Sequence, residues 1–214
     1  MNLKRRNAGQ LDASCCPPGE GRRRRGSQLE RAIFDAVVAE LGDAGYEGLT
    51  MEGVAHRAQT GKAALYRRWP SKQALVVDAL DATMPCFDET PGTGSVRTDL
   101  IELLGRMAVN ISSPTGCAMQ SVLGNSQCSP SMLGLIRDRV LEPRRRMLID
   151  AVRQGMERGE VRADVAAELA AEVGPSMIVQ RYLTEGPPVT HKMAVEIVDE
   201  VIMPMLAPRG DHDG

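Results

Sequence analysis

The segment from Thr50 to Trp69 constrains the chain most. It holds two short helical patterns separated by three residues and closed by a proline. Thr50 is an N-cap residue by type, and Met51, Val54, Ala55 and Ala58 then fall on one side of a short helix. Gln59-Thr60-Gly61 interrupts the pattern. A second run, Lys62 to Trp69, stops at Pro70, which cannot continue a helix. Leu65 and Trp69, four apart, share a face that suits packing against Val54 and Ala55. Lys62, Ala63, Tyr66 and Arg67 share another face, left for solvent or a ligand. Short helix, tight break, short helix is the helix-turn-helix arrangement, whose second helix enters the major groove of DNA.

The remaining pattern is helical as well, with no strand-like alternation to compete and no internal repeat. Ser27 and Glu30 have capping-box spacing, which predicts that the first helix starts at Ser27. Leu29, Ile33, Phe34, Val37, Val38 and Leu41 form its inner stripe, and Gly42 to Gly45 should end it. Ser71 caps a fourth helix with Leu75, Val76, Ala79 and Leu80 inward, running to about Met84. Pro, Gly and Thr between Pro85 and Ser95 mark a junction. Beyond it the periodicity predicts helices near 96–112, 116–127, 131–140, 142–158, 165–185 and 191–206, with Pro175 kinking or restarting the fifth of them. The expected fold is all-α: an N-terminal three-helix helix-turn-helix domain over 27–86 and a larger helical domain over 87–208. Residues 1–26 read as a basic disordered arm and 209–214 as a tail.

Charge is distributed to match. The net charge of −2 gives no general attraction to nucleic acid. Residues 1–26 nevertheless carry seven Lys/Arg against two acids, while residues 73–214 carry 13 against 20. Only the front end is expected to meet a polyanion. Arg22 to Arg25 are candidates for following phosphates or entering a minor groove. Deleting 1–26 is then expected to weaken binding and flatten its salt dependence.

Other chemistries find little support. Five cysteines without a C-x-x-C pair read as reduced cytosolic thiols. His56, His191 and His212 have no second ligand at helical spacing, so no metal or other cofactor is expected. No apolar run approaches the length of a membrane span. Gly92 to Ser95 follows no strand, so it reads as a linker and not a phosphate loop. No catalytic set emerges, and the chain does not read as an enzyme.

On the exposed face, Lys62 and Tyr66 are expected to hold phosphates. Arg67 reaches a phosphate or a guanine edge, and Ala63 lets the helix approach base edges closely. Thr50, Gln59, Thr60, Gly61 and Lys72 complete the candidate DNA set. Residues 29–80 closely resemble the TetR family of bacterial regulators. The resemblance is carried by Gly48-Leu49-Thr50-Met51-Glu52-Gly53-Val54-Ala55 and by the run from Lys62 through Trp69-Pro70-Ser71-Lys72 to Leu75. One departure is Thr60-Gly61, where a β-branched apolar residue and then Ser are more usual. Gly61 offers no capping side chain, which leaves Thr60 as the alternative cap. A weaker likeness runs through Pro143 to Arg146, Ala151 to Val161 and Val173 to Val189. The resemblance implies a cytoplasmic homodimer on a palindromic double-stranded operator, usually released by a small-molecule effector.

For the dimer interface, Ala166, Ala170, Val173, Gly174 and Met177 form one stripe and Val195, Val198, Ile202 and Met205 another. Effector candidates are Met107, Asn110, Ile111, Met119, Gln120, Leu123, Met147, Met177 and Tyr182, apolar walls with a few amides. Three other readings stay open: activation in place of repression, a thiol sensor using Cys117 and Cys128, and a dimerising scaffold that binds no DNA.

Overall fold

The computed structural model describes residues 20–85, 90–125 and 129–208. Residues 1–19, Cys86, Cys128 and 209–214 lie outside these, as do the side chains of Arg22 to Arg25. Among the described residues there is no strand. The order is α1 (Glu20–Gly48), α2 (Met51–Arg57), α3 (Lys62–Tyr66), α4 (Lys72–Thr83), α5 (Val96–Ile111), α6 (Pro114–Leu123), α7 (Pro130–Ile136), α8 (Glu142–Glu157), α9 (Ala167–Glu185), α10 (His191–Ile197) and α11 (Met203–Leu206). Among the described residues, no helix is long and apolar enough to cross a membrane.

Local chemistry sets most of the boundaries. Thr50, Ser71, Ser113, Ser129 and Thr190 all occupy N-caps, each side chain accepting from a backbone N–H three residues on. Gly45, at φ +68°, ends the regular part of α1, because only glycine adopts that backbone without strain. Ser27 is a correction. Helix α1 already runs from Glu20, so Ser27 lies within it and not at its cap. Arginine is a good helix former, and the tract before Ser27 extends the helix instead of remaining an irregular arm.

A second correction concerns one junction. The expected gap after residue 140 is a π-helical turn, Arg137–Leu141, joining α7 to α8 without a break. A second such turn, Val198–Ile202, joins α10 to α11. Each is followed by a proline near the start of the next helix, Pro143 and Pro204. A proline ring collides with the carbonyl four residues back, and one wide turn removes the collision. Pro175, by contrast, lies inside α9, which runs on from Ala167 to Glu185.

Two hydrophobic cores organise the chain. The first joins α1–α4 to α6, α7 and the π turn: Ile33, Val37, Leu41, Val54, Leu65, Trp69, Leu75 and Leu80 share it with Met119, Val122, Met132, Ile136 and Val140. The second lies among α5 and α8–α11, around Leu100, Leu104, Val152, Ile178, Val198 and Ile202. The helix-turn-helix head therefore rests on α6 and α7 through shared apolar burial. Each fully buried Leu or Ile contributes about 1.5–3 kcal/mol.

This arrangement corrects part of the expected interface. Ala170, Val198 and Ile202 are buried within the second core of the single chain. Periodicity marks an apolar face and does not say whether the same chain or another covers it. Ala166 is exposed at the N-cap of α9, and Val173, Met177, Val195 and Met205 are half-buried. The outward side of α9 instead presents Leu169, Val179 and Leu183, at 63%, 38% and 69% exposure.

Candidate nucleic-acid interface

Helix α3 has only five residues, too few to be stable alone, so packing must hold it. Leu65 is fully buried, and Trp69, just beyond the helix, is nearly so. The Trp69 ring meets Phe34 of α1 edge-on at 5.7 Å, and its Nε1–H donates to Asp78 of α4 at 2.8 Å. On α2, Arg57 donates to Glu40 at 2.9 Å and to Asp43 at 2.6 Å, tying this helix to α1. Gly53 sits where α2 crosses α1, and a Cβ there would fall 2.9 Å from a Glu40 oxygen. Sequence reasoning missed these acid partners, which lie 14 and 17 residues from Arg57.

The turn between α2 and α3 is tight. Gln59 has φ +51°, the left-handed region that costs a side chain about 1–2 kcal/mol. Gln59→Gly is expected to raise head stability by up to about 1 kcal/mol, read as a higher urea midpoint. Gly61 is the N-cap of α3 and no side chain caps it, so Thr60 does not take that place.

Lys62, Ala63, Tyr66 and Arg67 are exposed together on one side of α3, with Thr50 and Gln59 exposed nearby on α2 and the turn. The sequence-predicted face is thus assembled. Two lysines, however, are engaged within the chain. Lys62 pairs with Glu52 on α2, its ammonium 5.6 Å from the centre of the Tyr66 ring. Their hydrogen bond holds the Glu52 carboxyl below its ordinary range and lifts the Lys62 ammonium above its own. Lys72 is half-buried and donates to the carbonyls of Tyr46 at 2.8 Å and Leu49 at 3.1 Å, over the Tyr46 ring. Lys72, expected as a phosphate ligand, braces the end of α1 against α4 through these two bonds.

The nine effector candidates are not all brought together. Met107, Met147, Met177 and Tyr182 pack on the second core, Met119 belongs to the first, and Leu123 is exposed at the end of α6. A polar group does gather where α5, α6 and α9 meet. Asn110 accepts from Ser113 at 3.1 Å, Gln120 donates to the Ile111 carbonyl at 3.2 Å, and Cys117 Sγ lies 3.6 Å from the Tyr182 hydroxyl. The Cys117 contact, with burial, raises the Tyr182 pKa. Among the described residues, no cluster of three or more His, Cys, Asp or Glu is placed to hold a metal ion.

A buried-sided recognition helix on an all-helical body defines a helix-turn-helix DNA-binding protein. Residues 33–79 match the family model described as bacterial regulatory proteins, tetR family, and residues 90–201 match the tetracyclin repressor-like C-terminal domain. The chain belongs to the TetR family and is a DNA-binding transcriptional regulator. An uncharacterized HTH-type regulator of Mycobacterium tuberculosis is 27% identical over 84% of this chain and 89% of its own length. The DNA-binding transcriptional repressor TetR of Mycobacteroides abscessus is 28% identical over 86% of this chain and 97% of its own. The solved FadR of Bacillus subtilis, in complex with stearoyl-CoA, shares the fold at a TM-score of 0.66 and 14% identity, covering 82% of this chain and 96% of its own.

Proposed function

We propose that this protein is a cytoplasmic homodimeric repressor that binds a palindromic operator and leaves it when a small molecule enters the C-terminal domain. The observation that carries the DNA part is the shared exposure of Lys62, Ala63, Tyr66 and Arg67 over the buried Leu65. Arg67 and the helix start from Thr60 to Ala63 read base edges, while Thr50, Lys62 and Tyr66 fix position on the backbone. Repression is supported by the M. abscessus relative. A gel shift with the DNA upstream of the chain's own gene tests this. Sequence-selective, salt-dependent retardation is expected, and equal binding to any duplex of that length overturns it.

The dimer is carried by the outward side of α9, where Leu169 and Leu183, four turns apart, stand in solvent with Val179 between them. Isolated apolar residues are ordinary, but three along one helix suit a two-fold contact. The double variant Leu169→Glu/Leu183→Glu is expected to halve the mass seen by light scattering at micromolar concentration. A wild-type monomer, or an unchanged dimer in the variant, contradicts the assignment. The effector is a small molecule with a polar end, on the strength of Asn110, Gln120 and Tyr182 lying at one junction of mostly apolar helices.

A further inference from the structure

Asp78, in the middle of α4, divides its carboxylate between two parts of the molecule. One oxygen accepts the Trp69 indole N–H at 2.8 Å. The other accepts from Arg139 at 2.6 Å, while the second terminal nitrogen of the same guanidinium donates to Asp81 at 3.0 Å. Arg139 belongs to the π turn between α7 and α8, 61 residues from Asp78 in sequence. On the other side, the Trp69 amide donates to the Leu65 carbonyl at 2.8 Å. An unbroken run of hydrogen bonds therefore leads from the C-terminal body to the recognition helix.

The chemistry of this joint is specific. Asp78 and Asp81 are three apart, on one face of α4, and repel each other unless a cation lies between them. Arginine's planar fork serves both acids at once, which a lysine ammonium does not reproduce. A second arginine, Arg144 on α8, donates to the Pro85 carbonyl at 3.0 Å, just past the end of α4. Ion pairs exposed to this degree add little to global stability. Their consequence is orientation: they set how α4, and Trp69 with it, sits against the body.

We infer that Arg139 is a positioning residue for operator selection. Acting through Asp78 and Trp69, it fixes the angle of the recognition helix and so the half-site spacing that a dimer accepts. The inference rests on the dimer and palindrome reading above, because spacing has meaning only for two linked heads.

The experiment uses the full chain. A site is selected by the wild type from a random duplex library. Wild type, Arg139→Gln, Arg139→Lys, Trp69→Phe and the Arg139→Gln/Trp69→Phe pair are then measured on three kinds of DNA. These are that site, copies with one base pair added or removed at its centre, and bulk duplex. Arg139→Gln is expected to bind the selected site about three- to tenfold more weakly. Binding to the respaced copies and to bulk duplex should stay within about twofold, so spacing discrimination shrinks. Arg139→Lys restores only part of it. Trp69→Phe keeps an aromatic ring but loses the N–H and part of the indole's bulk, and its combination with Arg139→Gln is expected to be no worse than the more severe single change. Unchanged discrimination in Arg139→Gln overturns the inference, as does an equal loss on every DNA. If Arg139→Gln loses its helical melt, Asp81→Asn, which removes one prong of the fork, replaces it and is held to the same outcomes. A wild type that selects no two-fold site overturns the operator reading and this inference together. A selected site with normal discrimination in Arg139→Gln overturns the inference alone.

Discussion

Leu65→Ala is expected to destabilise the head by about 3–5 kcal/mol and to abolish operator binding without touching DNA. Leu65 has no solvent exposure and is the sole fully buried residue of the five-residue α3. So short a helix has no stability of its own, and the cavity left by three lost carbons lies directly beneath the face proposed to read DNA. A domain stable by about 5–15 kcal/mol loses a large share of that margin. The measurement is built into the chain. Trp69 is its only tryptophan, packed edge-on against Phe34 and bonded to Asp78, so its emission follows the head during urea unfolding. Tyr66→Phe is the control, because Tyr66 is 47% exposed and its loss of a hydroxyl should move stability by less than about 0.5 kcal/mol. A Leu65→Ala midpoint indistinguishable from that of Tyr66→Phe would show that α3 is held by something other than this contact.

The contrast between Leu65 and Lys72 shows how far the sequence could be read. Leu65 and Trp69 belong to a period-of-four pattern that has one physical outcome, burial, and they are buried. Two caps were equally legible, since Thr50 and Ser71 each precede a helical run and find their N–H three residues on. Lys72 was not legible. A lysine at a helix start suits a phosphate or a bare carbonyl equally well, and only the path of α1 beyond Gly45 brings the Tyr46 and Leu49 carbonyls within its reach. Part of the interface stripes is withdrawn for a related reason. Ala170, Val198 and Ile202 have the right period, but the inner and outer faces of α9 and α10–α11 differ only in what packs on them. Arg139 carried no local signal at all. Its partners Asp78 and Asp81 lie some 60 residues away, and the π turn that presents it follows from Pro143 only once clashes are considered.

Lys62→Ala is expected to flatten the salt dependence of operator binding by nearly two units of log-log slope for a dimer. Each neutralised phosphate releases counterions worth about 0.9 of slope, and each subunit presents one Lys62. Between 50 and 200 mM salt the wild type should therefore lose roughly tenfold more affinity than the variant. The partner of Lys62 adds a second arm. In the free protein its ammonium is held by Glu52, a carboxylate from the neighbouring helix. Docking on DNA must trade one anion for the other and bring Glu52 close to a polyanion. Glu52→Gln removes both costs. It is expected to raise operator affinity about two- to fivefold per subunit at low salt, with the gain fading as salt screens it. The combination Lys62→Ala/Glu52→Gln separates the two effects. If Glu52 acts through Lys62, the second change adds nothing to the first. If Glu52 acts by repelling phosphate on its own, the double variant recovers affinity over Lys62→Ala. A Lys62→Ala protein that keeps the wild-type slope would remove Lys62 from the phosphate contacts and leave Tyr66 and Arg67 as the face that grips DNA.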